Sequence, residues 1–447
     1  MKKLLLINPV PRLSNISRRG FKIQPLSLAY VAAVTPKDWV VEILDENFGK
    51  ITGKEDAELV GITSMTSTIM RGYEIASLYR SRGISVIMGG IHVSMVPDEA
   101  LNYADSVVVG EAETLWENVI NDFENGKLKK IYKGAHADLK NSAVLPRRDL
   151  LNPKYSFASI QTSRGCPFDC EFCSVSAFNG KTFRQRTVHE IINEIEQIPQ
   201  KVIAFIDDNL IGYSRESKKR AEELFKEMIS RKIKKIWGCQ ASINFVEDEH
   251  LIELAARSGC CVVLMGLESI NPKTLSGYMN KKLNSAKGID YYYEVTNTLH
   301  KYGIMLIGNM IFCNDEDDLD VLPATTKFIS KSGIDIPWPG IATPYPGTAL
   351  YDRLLGEGRL LYTNYPDDWD KYITTIPLNP KYNDIMAFYD EYMRFIDAVF
   401  SNREIFKRAL KTFSHSKSLF KTLIAFNFNK SLKRRYEQGF LPPNRVN

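Results

Sequence analysis

No apolar run in the sequence approaches the roughly 18 residues that a membrane-spanning helix needs. The longest candidates, KKLLLINPV at 2–10 and GIMLIGNMIF at 303–312, read as buried strands. The apolar start is too short for a secretory leader and runs directly into Asn8-Pro9-Val10-Pro11. Low-complexity tracts are absent. Seven cysteines, an odd number with no secretion signal, argue against a disulfide framework and for a reducing compartment, so the expected location is the cytoplasm. The chain also has little net charge, +5 from 58 Lys and Arg against 53 Asp and Glu. That charge is uneven. From Ser401 onward eleven Lys and Arg face only Glu404 and Glu437, so this segment carries +9 and the remainder −4. The basic tail comes with no RNA-binding fold, and nucleic acid is not an expected partner.

What is present is an ordinary globular composition, 44% hydrophobic, in 447 residues, too long for one hydrophobic core. Over the first 110 residues, short apolar runs (KLLLINP, VVEILDEN, AELVGITS, ISVIMGG, ADSVVVGEAE) alternate with helix-patterned stretches such as PLSLAYVAAV and TIMRGYEIASLYRSRG. This rhythm predicts a parallel, doubly wound α/β sheet of the Rossmann-like, flavodoxin type. Residues 111–157 read as a connecting region punctuated by proline. From Phe157 six further strand-and-helix units follow, with strand candidates FASIQTSRG, VIAFIDDN, KIWGCQAS, CCVVLMGLES, IMLIGNMIF and DIPWPGIATPY. Six units predict a partial (β/α)6 barrel, whose functional residues belong at the C-terminal ends of the strands. The expected division is 1–140, 141–345, and a mainly helical extension over 346–447.

Directly after the first of these six strands, Cys166, Cys170 and Cys173 form C-x3-C-x2-C within SRGCPFDCEFCSV. Thiolates are soft ligands suited to zinc or iron–sulfur clusters, and this spacing lets one short loop wrap three corners of a cubane. A structural zinc site would want a fourth ligand nearby, but the next histidine is His189 and the next cysteine Cys239. Three ligands leave one iron open, and an open iron can bind substrate.

The stretch CPFDCEFC, with Phe172 as its aromatic residue, resembles the signature of the radical S-adenosylmethionine (SAM) superfamily. The resemblance implies a 4Fe-4S cluster on the three cysteines, SAM chelated at the fourth iron, and a reductant such as flavodoxin or ferredoxin. It also implies a 5′-deoxyadenosyl radical that takes hydrogen from unactivated carbon. FIDDN (Asp207, Asp208, Asn209) and GLES (Gly266, Glu268, Ser269) resemble the family's SAM-contacting strand ends; Gln240, Ser242 and Asn309 are further candidates. Asn209 and Ser269 serve equally well as helix caps. Arg184 and Arg186 follow the cysteine loop and suit a solvated turn as well as a ligand. Where relatives carry glycine in the IFCNDED stretch this chain has Cys313, which reads as a small buried thiol.

The N-terminal series is similar to the cobalamin-binding domain that precedes the barrel in cobalamin-dependent radical SAM enzymes. Gly89 and Gly90 end a strand where backbone could approach a planar ligand, and Ser64, Thr66 and Ser67 could bond a nucleotide tail. His92, Gly110 and Glu111 complete the candidates. The D-x-H-x-x-G motif that gives cobalt a histidine in many cobalamin proteins is absent, since Gly90 and Met95 flank His92 at the wrong positions. The resemblance therefore implies cobalamin with an open lower face. TPYPGTALYDRLLGEGRL at 343–360 and DDWDKY at 367–372 resemble the extension of hopanoid C-2 methylases and their relatives. The implied activity is methyl transfer from SAM through methylcobalamin to an unactivated carbon of a small, hydrophobic, lipid-like molecule. A radical oxidation, cyclisation or rearrangement with cobalamin in a non-methylating role stays open, as does a sensor without turnover. In the tail, Phe406, Leu410, Phe413, Phe420 and Ile424 fall on one helical face amid lysines. That pattern fits either a helix packed on the barrel or peripheral contact with an anionic membrane.

Overall fold

The computed structural model describes residues 2–12, 22–141, 144–277, 279 and 281–443. They form two compact units: 1–156 with 345–347 and 362–373, and 157–344 with 348–361 and 374–447.

The first unit is built on a parallel sheet of β1 (Lys2–Asn8), β2 (Trp39–Asp45), β3 (Leu59–Thr63), β4 (Ser85–Gly89), β5 (Ser106–Val109) and β6 (Ile131–Lys133). Its order is β2-β1-β3-β4-β5-β6. Leu4 to Ile7 of β1 are wholly buried, as a strand covered by helices on both faces requires. The direction of winding reverses between β1 and β3, the position at which open α/β sheets bind ligands beyond their strand ends. The region 111–157 is more than a connection. It contains helix Trp116–Glu124 and β6. Trp116, Val119, Ile120 and Phe123 have helical spacing and pack into the first core, a legible signal, whereas a three-residue strand has no readable period. Residues 362–373 return to this unit: Arg12 Nε donates to Asp370 Oδ2 at 2.6 Å, and Trp369 Nε1 donates to the Glu99 carboxylate at 3.0 Å.

In the second unit β7 (Ala158–Ile160) is followed by a short antiparallel pair, β8 (Ser163–Arg164) and β9 (Arg184–Gln185). The sheet then continues through β10 (Val202–Phe205), β11 (Ile236–Gln240), β12 (Cys260–Glu268), β13 (Met305–Phe312) and β14 (Ile336–Ile341). Its strands run in chain order, β7-β10-β11-β12-β13-β14, and every pair is parallel. This is the expected six-stranded partial barrel. Helix Val188–Gln197 begins with a capping box in which Thr187 and Glu190 satisfy each other's backbone N–H groups, and it buries Ile191, Ile192 and Ile195 on the sheet.

The first compact unit runs to residue 156, and most of 346–447 packs with the second. Helices Ile385–Val399, Asn402–Ser416 and Leu419–Gly439 share the barrel's core: Phe388, Tyr392, Phe395, Ile405, Ala425, Leu432 and Tyr436 belong to the same buried cluster as the strands. The basic tail is not one straight helix either. Lys417 adopts φ 50° and breaks it, so the last two helices fold back on each other with Arg408 donating to Asn429 Oδ1.

Candidate functional site

The cysteine loop leaves the C-terminal end of the strand formed by β7 and β8. Gly165, just before Cys166, has φ 88°, and a Cβ there would lie 2.3 Å from the Thr182 carbonyl, so the entry admits only glycine. Asp207 is fully buried and accepts from Thr162 N (2.9 Å), Thr162 Oγ1 (2.9 Å) and Ser163 Oγ (2.6 Å). Asp208 accepts from Gly165 N at 3.2 Å. The two carboxylates of FIDDN thus hold the strand that leads into the loop. Burial pushes the Asp208 carboxyl up to about 6. Burial raises the Cys166 thiol and takes Cys170 to about 11, and the nearby Cys173 sulfur pushes both the same way, while Lys281 works in the opposite direction.

Lys281 had no motif to mark it. Its Nζ lies 2.9 Å from Glu268 Oε1, and the pair is largely buried at the end of β12. Although burial disfavours its charge, Glu268 and the neighbouring cysteines hold the Lys281 pKa above the ordinary value. Glu268 has φ 66° at an irregularity in the β12–β13 register, a strained conformation for a non-glycine residue that points its carboxylate at Lys281. Asn309 lies across from Gly266 and reaches Glu268 Oε2 at 3.5 Å. Other candidates are held by their own loops. Asn209 donates to Ser242 Oγ at 2.9 Å and accepts from Gly212 N, Ser269 Oγ accepts from Asn271 N, and Gln240 is exposed at the end of β11. Arg186 is buried against Glu194 and donates to the Gln161 carbonyl, and Arg184 reaches Asn179 Oδ1; both serve the folding of the loop.

Glu171, between Cys170 and Cys173, is gripped by Arg353, whose Nε lies 2.6 Å from Oε1 and whose second guanidinium arm reaches Asp315 at 2.6 Å. Leu350 N adds a bond to the Glu171 carbonyl. This contact is the service that TPYPGTALYDRLLGEGRL performs, and its sequence separation of 182 hides it from any local pattern. Phe172 and Cys313 line a cleft of about 410 Å³ beside it. Cys313 has φ 68°, which explains why glycine suits that position.

In the first unit every cobalamin candidate sits at the end of β4 or just beyond β3, β4 or β5, at the carboxyl edge of the sheet. Ser64 is buried and its hydroxyl finds no partner among the described residues. Ser67 is half-buried. Thr66 Oγ1 bonds His92 Nδ1 at 3.0 Å, and His92 Nε2 faces Glu99 Oε1 at 3.5 Å beneath the Trp369 ring. Both nitrogens of His92 are therefore engaged by the protein, and burial lowers its pKa. Glu111 accepts from Ala137 N at 2.7 Å. The glycines divide. A Cβ on Gly90 would meet the Ser64 carbonyl at 2.6 Å, and one on Gly110 the Gly134 carbonyl at 2.7 Å, so the protein itself demands both. A Cβ on Gly89 would meet nothing nearer than 3.6 Å, and its packing does not require glycine.

Comparison with known families places a B12 binding domain over residues 14–120, the Radical SAM superfamily over 160–324 and a domain of unknown function (DUF4070) over 348–445. The chain is 32% identical over 394 residues to bacteriochlorophyllide d C-12(1)-methyltransferase of Chlorobaculum tepidum, covering 83% of this chain and 81% of that one. It is 30% identical to the C-8(2)-methyltransferase of the same organism, over 91% of each. The chain belongs to the cobalamin-dependent radical SAM family. Hopanoid C-2 methylase of Rhodopseudomonas palustris is 28% identical over 76% of this chain and 65% of its own. Among solved structures the methyltransferase TsrM of Kitasatospora setae has the same fold, with TM-score 0.72 at 15% identity over 98% of this chain and all of that one. This member of the family is a radical SAM enzyme of the methyltransferase group, with a 4Fe-4S cluster, SAM and cobalamin as its cofactors.

A second cluster of ligand-type side chains, His300, Asp335 and His415, lies in the barrel unit of this radical SAM enzyme. Its geometry is that of a hydrogen-bond hub. The imidazoles stack at 3.6 Å with 9° between their planes, so no single ion can lie on both Nε2 lone-pair axes. Because a carboxylate only accepts, both Nε2 atoms donate to Asp335, at 2.9 and 3.0 Å.

Proposed function

We propose that this enzyme methylates carbon on a large, mainly apolar, polycyclic molecule, with Cys166, Cys170 and Cys173 as cluster ligands and the Glu268–Lys281 pair as the SAM subsite. The observation that carries the reading is the convergence of three thiols from one glycine-hinged loop on an ion pair at the next strand ends. The donor set fits: three soft ligands on one loop, a buried cation to offset thiolate charge, and no fourth ligand on the same loop. Bound there, the cluster supplies an electron to SAM, and cobalamin carries a methyl group.

The residues of the chain do the positioning. An ammonium beside a carboxylate is the complement of the carboxylate and ammonium of an amino acid, so Lys281 and Glu268 would take the methionine end of SAM in charge-assisted bonds. Asp207 and Asp208 fix the entry to the loop, and Arg353 fixes its middle through Glu171. In the first unit the free Ser64 hydroxyl and the open space at Gly89 suit a cobalamin lying along the carboxyl edge of the sheet. With both nitrogens of His92 engaged, nothing at that position is free to ligate cobalt. The substrate class rests on the names of the relatives, which act on bacteriochlorophyllides and hopanoids.

The test is SAM carrying a deuterated methyl group, given to the reduced, cobalamin-loaded protein. Label on cobalamin together with release of 5′-deoxyadenosine is the expected result; 5′-deoxyadenosine without labelled cobalamin would assign cobalamin a non-methylating role. Lys281→Met should raise the KM for SAM about ten- to a hundred-fold, the worth of roughly 1.5–3 kcal/mol for a charged hydrogen bond. Gly89→Ala should fold normally yet bind cobalamin more weakly by about 1–3 kcal/mol, the cost of a methyl group in a filled contact. Equilibrium titration of cobalamin measures it, and unchanged affinity would remove Gly89 from the site.

A further inference from the structure

The hairpin of the last two helices carries large apolar side chains on its outward face as well as its inward one. A surface helix turns its apolar stripe to the core and its charges to water. Here the inward face does bury Ile405, Ala409, Ala425, Leu432 and Tyr436 against the barrel, with three polar residues among them. Arg408, Thr412 and Asn429 are buried: Arg408 donates to the Val399 carbonyl, Thr412 Oγ1 to Asp335 Oδ1 at 2.6 Å, and Asn429 Nδ2 to the Asp335 carbonyl at 2.9 Å. Lys421 Nζ is tied to the Gly303 carbonyl at 2.7 Å, which fixes the rotation of the second helix about its axis. The outward face holds Phe406, Leu410, Phe413, Leu419, Phe420 and Leu423, each between 46% and 65% exposed. These are six of the fifteen large hydrophobics exposed among the described residues, gathered within 18 positions about one turn. Chance scatter of single apolar side chains does not concentrate them so.

The charges among them settle what this face meets. Arg403, Lys407, Lys411 and Lys417 alternate with the apolar tips, against Glu404 alone in that stretch. Phe and Leu tips in a ring of lysines suit insertion at the headgroup boundary of an anionic bilayer, where burial of apolar area and attraction to acidic lipid add. A second copy of the chain would bring the same positive face against itself. We infer that the hairpin of residues 402–439 docks the enzyme on the surface of an anionic membrane through the tips at Phe406–Leu423. The docking is peripheral, since no helix among the described residues is long and apolar enough to cross a membrane.

The experiment is co-sedimentation of the full chain, cofactors loaded, with vesicles of phosphatidylcholine alone or with 30% phosphatidylglycerol. Binding at least ten-fold tighter to the acidic vesicles, weakened by salt, is the expected result. Phe413→Ser with Phe420→Ser should lose it, and Lys411→Glu with Lys417→Glu should weaken it at least ten-fold. All four side chains are exposed, so far-UV circular dichroism and cluster content should be unchanged. Absence of binding to either vesicle, or binding that both variant pairs retain, overturns the inference. A wild-type dimer that the Phe413/Phe420 variant converts to monomer, without vesicle binding, would overturn it in favour of a second copy.

Discussion

Cys170→Ala protein, reconstituted anaerobically with iron and sulfide, is expected to lack the visible absorbance of a cubane and to release no 5′-deoxyadenosine from SAM above background. Cys170 is the buried member of the trio. The turn that carries it is closed by Cys173 N donating to the Cys170 carbonyl at 3.1 Å, a bond the alanine keeps, so the loss would be of the ligand and not of the loop. No other cysteine is placed to substitute. Cys239, Cys260 and Cys261 are packed in the barrel core on β11 and β12, away from the loop that carries the trio. Cys313→Gly provides the contrast. Its positive φ suits glycine, so this variant should keep full cluster content and SAM cleavage. A cluster of normal absorbance in Cys170→Ala would sink the ligand assignment.

Asp335→Ala should destabilise the barrel unit by about 4 kcal/mol, read as a lowered urea midpoint. The carboxylate is fully buried and accepts four bonds, from His300, His415, Thr412 and Leu306 N. Removing it strands four donors, each costing about 1–3 kcal/mol less what relaxation recovers. Burial alone would raise the Asp335 pKa, but the bonds from His300 and His415 outweigh it and hold the carboxyl well below the usual carboxylate range. The sign follows. A carboxyl whose pKa is depressed on folding contributes its full stability above the unfolded value, near about 4, and loses it as pH falls below that. Wild-type stability should therefore decline more steeply than that of Asp335→Asn below about pH 4; parallel curves would show that Asp335 is not the linked group.

How much of this was legible depends on whether the signal was local. The strand and helix series of both sheets follows from the period of apolar residues, and all six barrel strands lie within the stretches read for them. β6 and its preceding helix escaped, as did β9 and the short helices after β4; strands of two or three residues carry no period. The thiol loop is also local, since one turn of chain sets its spacing. Lys281 was invisible because it reaches Glu268 only after the chain has turned back across the strand ends, and Arg353 because it meets Glu171 across 182 residues. The candidates of FIDDN were read for ligand chemistry, yet Asp207 and Asp208 spend hydrogen bonds on the loop itself, a choice made by the distance between β7 and β10.

The sequence by itself determined that this chain has two parallel sheets, a three-thiol loop after the first barrel strand and a glycine-rich carboxyl edge on the N-terminal sheet. Each is written in neighbouring residues, where backbone propensity and ligand spacing act directly. Tertiary structure decided which polar residues face one another and which way the amphipathic tail turns. The tail's spacing gave a helical face but no direction for it. Bonds from Thr412, Lys421 and Arg408 to Asp335, Gly303 and Val399, together with the burial of Ile405, Ala425 and Leu432, hold one side of the hairpin inward and leave Phe406, Phe413 and Phe420 facing out.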